Sequence, residues 1–176
     1  LIVRLMPLMH PGNIVTPQHH NIEAVQNLEI LETSLSAGWD DIIIYNMLIC
    51  PGRIQMPPID AIVIARVNDG SVTGYIERRS ISTSLAIQKN QLAIICPKDS
   101  FLVDITSRAE IVVAYISRRL LEETLARFHA ISNDIVKLDS MTIQTDTVLE
   151  FHLSCLIEFL ADRSGYAPIE LQFLIR

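Results

Sequence analysis

A nearly continuous apolar run, IDAIVIARV at residues 59–67, is typical of a buried β-strand and organises the chain around it. The turn residues Asn68, Asp69 and Gly70 follow, so residues 72–77 are predicted to return as a hairpin partner of this strand. Further short apolar segments, each bounded by a polar or proline-containing turn, occupy residues 85–87, 92–96, 101–105 and 111–117. Strands at this spacing, without a helix-period segment between them, predict an antiparallel sandwich or barrel.

Residues 42–49 form the first predicted strand of this barrel, and their alternation places Tyr45 and Asn46 on opposite faces. One of these two polar side chains must therefore point inward and find a partner. Residues 1–34 contain scattered prolines and are predicted to form an N-terminal arm. A short helix beginning at Asn21 is an alternative there, because Ile22, Val25, Leu28 and Leu31 recur near helical spacing.

Two helices are predicted after the barrel. Ser117 is a suitable N-cap for the first, whose apolar stripe includes Leu120, Leu121 and Leu125. A polar connector at residues 133–147 leads to the second, at residues 146–161, which has two adjacent apolar stripes. One stripe can pack on the barrel while the other meets a second copy, so we expect a homodimer. The candidate dimerisation residues are Leu149, Leu153, Leu156 and Leu160. The predicted organisation is an arm at 1–34, a barrel at 35–117 and a helical dimerisation segment at 118–176.

Composition narrows the class of protein. The chain has 176 residues, 49% of them hydrophobic, and a net charge of −6. Its mean hydropathy of +0.33 suggests that some apolar surface is buried against a partner. The acidic balance argues against direct binding to a phosphate backbone, which needs clustered Lys and Arg. Three separated cysteines predict reduced thiols in a cytoplasmic protein, and the apolar residues 1–6 are too few to span a membrane.

The distribution of histidines argues against a metal enzyme. None of the five histidines lies within residues 42–117, so the barrel strands offer no imidazole ligands. His19 and His20 are adjacent, and on an extended segment they point to opposite sides. No nucleophile-and-base arrangement or phosphate-cradling glycine loop is visible either. We therefore predict no catalytic residues, no metal and no cofactor.

A resemblance to a known family adds to this interpretation. The strand-turn-strand order with NDG at 68–70, QLAIICP at 91–97, FLVDI at 101–105, AEIVVAYIS at 109–117 and RRLLEETL at 118–125 resembles the N-terminal domain of AraC-type transcriptional regulators. That resemblance implies a cupin-like antiparallel barrel, or double-stranded β-helix, that binds an effector and dimerises. It also implies that a helix-turn-helix half follows the chain and makes the contact with DNA.

The candidate effector-binding residues are the large polar-tipped side chains of the predicted barrel: Trp39, Tyr45, Asn46, Arg66, Tyr75 and Tyr115. Arg66 either holds an anionic effector near the mouth of the barrel or simply reaches solvent. The favoured function is a ligand-sensing and dimerisation domain that is not an enzyme. The alternatives are a self-standing cupin-type enzyme for a small molecule and a non-catalytic scaffold for assembly.

Overall fold

The structure is a computed structural model that describes residues 27–37, 39, 41–56, 58–78, 81–131, 140–143 and 146–161. A short 3-10 helix spans Leu35–Ala37. The β-strands of the described residues are β1 (Leu28–Thr33), β2 (Ile42–Ile49), β3 (Gly52–Met56), β4 (Ala61–Asp69), β5 (Ser71–Arg78), β6 (Ile81–Gln88), β7 (Leu92–Ile95), β8 (Ser100–Ile105), β9 (Ala109–Ser117) and β10 (Met141–Ile143). The α-helices are α1 (Arg118–Ile131) and α2 (Thr147–Ala161).

These strands form two antiparallel sheets. One sheet has the order β1-β2-β9-β4-β7-β10, and the other has the order β3-β8-β5-β6. From β2 to β5, each successive strand lies in the opposite sheet. Strands β2 to β9 therefore have the arrangement of a double-sheet jelly roll, which is the architecture of cupins. The predicted cupin-like antiparallel barrel with C-terminal helices is confirmed.

The predicted hairpin between β4 and β5 is wrong, because these consecutive strands lie in different sheets. Both edges of β4 are already occupied, one by β7 and the other by β9. Gly70 carries the chain from one sheet to the other with a φ of 83°, and a Cβ there would lie 2.8 Å from the carbonyl oxygen of Arg108. A glycine is needed at this corner on both grounds.

The barrel interior is filled by what we call the interior core. Alternate residues of the strands supply it, because successive side chains point to opposite faces of a sheet. Its buried members are Ile43, Tyr45, Met47, Ile49, Ile54, Met56, Ile59, Ala61, Val63, Val67, Val72, Ile76, Leu85, Ile87, Ala93, Ile95, Val103, Ile105, Ala109, Ile111, Val113 and Tyr115.

The far side of the six-stranded sheet carries a second cluster, the outer core, which both helices help to cover. Its buried members are Ile42, Ile44, Ile62, Ile64, Leu92, Val112, Ala114, Leu153 and Leu156. Leu120 and Leu121 of α1 pack against them. The Ser117 hydroxyl accepts a hydrogen bond from the Leu120 N–H at 3.1 Å, which confirms Ser117 as the N-cap of α1.

Three strands were not predicted. The helical alternative fails for Leu28 and Leu31, which lie in β1, and β1 pairs with β2 along the sheet edge. Strand β3 lies between the predicted strands at 42–49 and 59–67, where no strand is predicted, and β10 is three residues long within the predicted polar connector. Residues 1–26, with His19 and His20, and residues 162–176 lie outside the described part of the chain.

Candidate ligand-binding site

A cavity lies between the two sheets, inside the interior core. It has a volume of about 50 Å³. Apart from Tyr115, the side chains that line it carry no hydroxyl, amide or charge: Leu28, Met47, Ile49, Ile54, Met56, Val63, Ala65, Val67, Val72, Leu85, Ile87, Ile95, Phe101, Val103, Ile105, Ile111 and Val113. Such a lining favours a small apolar ligand. A polar ligand would lose its hydrogen bonds to water and find almost no hydrogen-bonding groups in their place.

Tyr45 and Tyr115 are the two predicted site residues that point into the barrel. They lie on the neighbouring strands β2 and β9, and the structure buries both of them. Their ring centroids are 5.9 Å apart with the planes at 90°, an edge-to-face contact. Burial raises the pKa of the Tyr115 hydroxyl far above its ordinary value, and the nearby Tyr45 adds to the shift. Tyr115 is therefore neutral at physiological pH, and its ring forms part of the cavity wall.

Arg66 and Asn46 lie on the other side of the six-stranded sheet, facing α2. Both are cross-strand neighbours of Val112, which belongs to the outer core. The Arg66 Nη1 donates a hydrogen bond to the Ser154 Oγ of α2 at 3.1 Å. The Arg66 Nε and the Asn46 Oδ1 are buried, and neither has a hydrogen-bond partner among the residues that the structure describes. Arg66 thus lies on the outer side of the sheet and not in the barrel interior, and the hydrogen bond described for it is to a helix.

Trp39 and Tyr75 are separate from both groups. Trp39 is half-buried and packs against the outer core just before β2. Tyr75 lies on β5 with 47% of its surface exposed, and its neighbours Gly74 and Ile76 are buried. The structure therefore does not bring the six candidates together. Two are inside the barrel, three are on the helix-covered side of one sheet, and one is on the outer face of the other.

Three of the four leucines predicted to form the dimer contact, Leu149, Leu153 and Leu156, pack within their own chain. Leu153 and Leu156 are 2% and 8% exposed, and Leu149 packs beside them on the outer core. The Leu160 side chain lies outside the described part of α2. Among the described side chains of α2, the large apolar ones that are exposed are Val148 and Phe151, at 66% and 62%. Leu153 and Leu156 hold α2 on the sheet and present no surface to a second copy.

Sequence reasoning missed a group of polar residues on α2. Ser154 binds Arg66, while the Glu150 Oε1 and the His152 Nδ1 are buried without a hydrogen-bond partner. These residues interrupt the apolar pattern of the helix, which is the signal that could have drawn attention to them. With Asn46 and Arg66, they make the contact between sheet and helix partly polar, and several of its hydrogen-bonding groups are unpaired.

Within the described residues, no three His, Cys, Asp or Glu side chains are grouped so that they could hold a metal ion. None of the helices in that part of the chain combines the length and the apolar character needed to cross a membrane.

Comparison with known proteins finds no matching family model and no matching curated protein. Solved structures with some similarity include the vicilin of Solanum melongena, with 16% identity and a TM-score of 0.42 over 51% of this chain and 26% of that one. The Cupin_2 domain of an XRE family transcriptional regulator from Enterobacter cloacae has 10% identity and a TM-score of 0.42, over 52% of this chain and 97% of that one. The EutQ protein of Clostridium difficile has 12% identity and a TM-score of 0.40, over 52% and 67%. This chain thus spans about a quarter of the vicilin.

Proposed function

We propose that this chain is the ligand-sensing domain of a transcriptional regulator of the AraC type, and that it binds a small apolar effector inside the barrel. The observation that carries the proposal is the cavity of about 50 Å³ between the sheets, with its almost wholly apolar lining. The order of strands, turns and helix in the sequence, which resembles that family, supports the regulatory role.

The size of the cavity limits the ligand. An engineered protein cavity of about 150 Å³ lined by Leu, Ile and Phe binds benzene, so this smaller one suits a compact apolar group. Met47 and Met56 lie in its wall, and methionine side chains change shape at low cost. A somewhat larger ligand can therefore enter if these two side chains move. A carboxylate or phosphate effector held by Arg66 inside the barrel does not fit, because Arg66 faces α2.

Thermal stability in the presence of small apolar probes tests the binding step. Xenon, benzene and indole should raise the melting temperature, because a ligand that binds only the folded state stabilises it by mass action. Ala65→Ile should abolish the increase, since Ala65 lines the cavity and the larger side chain fills it. Ala126→Ile is the control, because Ala126 is exposed on α1 and does not line the cavity. The proposed site would be contradicted if none of the three probes raised the melting temperature, or if they raised that of the Ala65→Ile protein equally.

The regulatory role has a separate test. The reading frame of the gene downstream of codon 176 should encode two helix-turn-helix patterns, as the family resemblance implies. A frame that encodes an unrelated domain would rule out the AraC type while leaving a binding barrel possible. The first test can therefore exclude the ligand-binding site, and the second can exclude the AraC type, independently of each other.

A further inference from the structure

Strand β6 is an edge strand with few features that would prevent it from pairing with a further strand. It ends the four-stranded sheet, and among the described strands it pairs with β5 alone, in an unbroken register from Ile81 to Gln88. Its sequence, ISTSLAIQ, contains no charged residue and no proline. The first four residues are exposed, and Ile81 exposes 69% of its surface. β10 lies near β6 but pairs with β7.

The backbone groups that β6 presents at this edge can be identified. At the end of the strand, the Gln88 N–H donates to the Gln91 Oε1, and the Gln88 carbonyl accepts from the Gln91 N–H. Both groups of Gln88 thus point away from β5. Alternate residues of a strand direct their N–H and C=O to the same side, so those of Ser82, Ser84 and Ala86 also face the open edge. Within the described residues these groups have no hydrogen-bond partner.

The other edge strands of the two sheets have features that discourage pairing with a strand of another molecule. β1 has Glu29 and Glu32 and a register irregularity between Ile30 and Glu32. β3 has five residues, follows Pro51 and carries Arg53, while β10 has three residues. Short strands, charges, prolines and bulges all discourage edge-to-edge association. β6 is longer than any of them and has none of these features.

We propose that β6 pairs antiparallel with β6 of a second copy of this chain and so joins two four-stranded sheets into one of eight strands. A two-fold axis through Ser84 places Ser84 opposite itself and Ser82 opposite Ala86. This register matches the backbone, because it joins the residues whose N–H and C=O face the edge. A two-fold contact requires that a surface complement itself, and this strand does so.

The side chains fit the same register. On the outer face of the contact between the two β6 strands, each copy contributes Ser82, Ser84 and Ala86, which are all small and uncharged. On the inner face, Ile81 meets Ile87 of the partner subunit and Thr83 meets Leu85 of the partner subunit. Apolar and β-branched cross-strand pairs of this kind stabilise a sheet. Leu85 and Ile87 are only 2% and 3% exposed within their own barrel, so the exposed Ile81 and Thr83 supply most of the new contact on this face.

The mass of the protein in solution tests the pairing. Light scattering should give the mass of a dimer for the unmodified chain. Ser84→Lys should shift the mass to that of a monomer, because it places two positive charges opposite each other at the axis. Its far-UV circular dichroism should be unchanged, since Ser84 is exposed. An unmodified chain that is monomeric, or a Ser84→Lys protein that stays dimeric, would overturn the proposal.

Cysteine cross-linking tests the register itself. In a background with Cys50→Ser and Cys155→Ser, Ser84→Cys should give a covalent dimer on mild oxidation. Directly opposed Cα atoms in a hydrogen-bonded pair are ~5.5 Å apart, within the range that a disulfide spans. Ser82→Cys is the matched control, because the two copies of residue 82 are offset by ~13 Å along the strands. Cross-linking through Ser82→Cys and not Ser84→Cys would exclude this register.

Discussion

The Arg66 Nη1 donates a hydrogen bond to the Ser154 Oγ at 3.1 Å and thereby joins the central region of the six-stranded sheet to α2. The two residues are 88 positions apart in sequence. The Arg66 Nε is buried, and no hydrogen-bond partner for it lies among the described residues. The Ser154 hydroxyl is therefore the described group that satisfies this guanidinium, beside the apolar contact that Leu153 and Leu156 make with the sheet.

Ser154→Ala should lower the free energy of unfolding by about 1–3 kcal/mol, because it leaves a partly buried guanidinium without its hydrogen bond. Ser82→Ala is the control and should change the stability by less than about 0.5 kcal/mol, since Ser82 is exposed on β6. Urea denaturation followed by circular dichroism measures both. Equal stability of the two variants would show that the bond contributes nothing.

Leu153→Ala should lower the free energy of unfolding by about 2–5 kcal/mol, the range for a large-to-small change in a core, because Leu153 of α2 is 2% exposed and packs in the outer core. Val148→Ala, on the same helix but 66% exposed, should stay within about 0.5 kcal/mol. Thermal denaturation of the two proteins gives the comparison. If Val148→Ala proves the more harmful, α2 must be oriented differently on the sheet.

Gly74→Ala should destabilise the protein severely, by more than about 3 kcal/mol. A Cβ at Gly74 would lie 2.0 Å from the backbone oxygen of Leu102, so β5 and β8 would have to separate. Tyr75→Phe, at the next position and outward-facing, is the control and should be nearly neutral. Soluble expression and melting temperature report the difference. A Gly74→Ala protein as stable as its control would mean that β8 is not packed this closely.

The free energy of unfolding should decrease in acid, partly because protonation of Asp104 removes its ion pair with Arg53. The Arg53 Nε donates to the Asp104 Oδ1 at 2.7 Å, and this hydrogen bond holds the pKa of Asp104 below its ordinary value. A depressed folded-state pKa stabilises the protein above the unfolded-state pKa, and that contribution is lost as the pH falls below ~4.

Asp104→Asn should therefore make the unfolding free energy less dependent on pH between ~4 and ~2 than in the unmodified protein. Arg53→Gln should do the same, because it removes the partner that shifts the pKa. Denaturant titrations at a series of pH values measure the slope. An unchanged slope in both variants would show that the pair has no role in acid sensitivity.

The sequence pattern was sufficient to predict the β class and most of the strands, because the apolar segments and their turns are distinct. For β4, the pattern could not identify which face points into the barrel. Ile62 and Ile64 belong to the outer core while Ala61 and Val63 belong to the interior core, so both faces are apolar. A strand buried on both sides loses the alternation that tells inside from outside. The sequence therefore left two interpretations open for Arg66, a residue that holds an effector near the barrel mouth and one that reaches solvent, and neither includes its bond to α2.

The missed strands have a similar explanation. In β1, the irregularity between Ile30 and Glu32 breaks the period of two, and the remaining apolar spacing imitates a helix. In β3, only Ile54 and Met56 are buried, and prolines lie on both sides. Neither the cavity nor the bond between Arg66 and Ser154 could be predicted, because both depend on which strands become neighbours across the barrel.

The position of β9 between β2 and β4 sets the order in which the chain can fold during synthesis. Residues 42–49 and 61–67 both pair with β9, whose residues begin at 109. A nascent chain released only as far as β8 holds two long apolar strands without the neighbour that separates them. Contacts between such distant residues make folding slow, on the order of milliseconds to seconds for sandwich-like proteins. The ribosome must therefore deliver the ninth strand before the barrel can close, and until then the exposed strands are open to aggregation and to binding by chaperones.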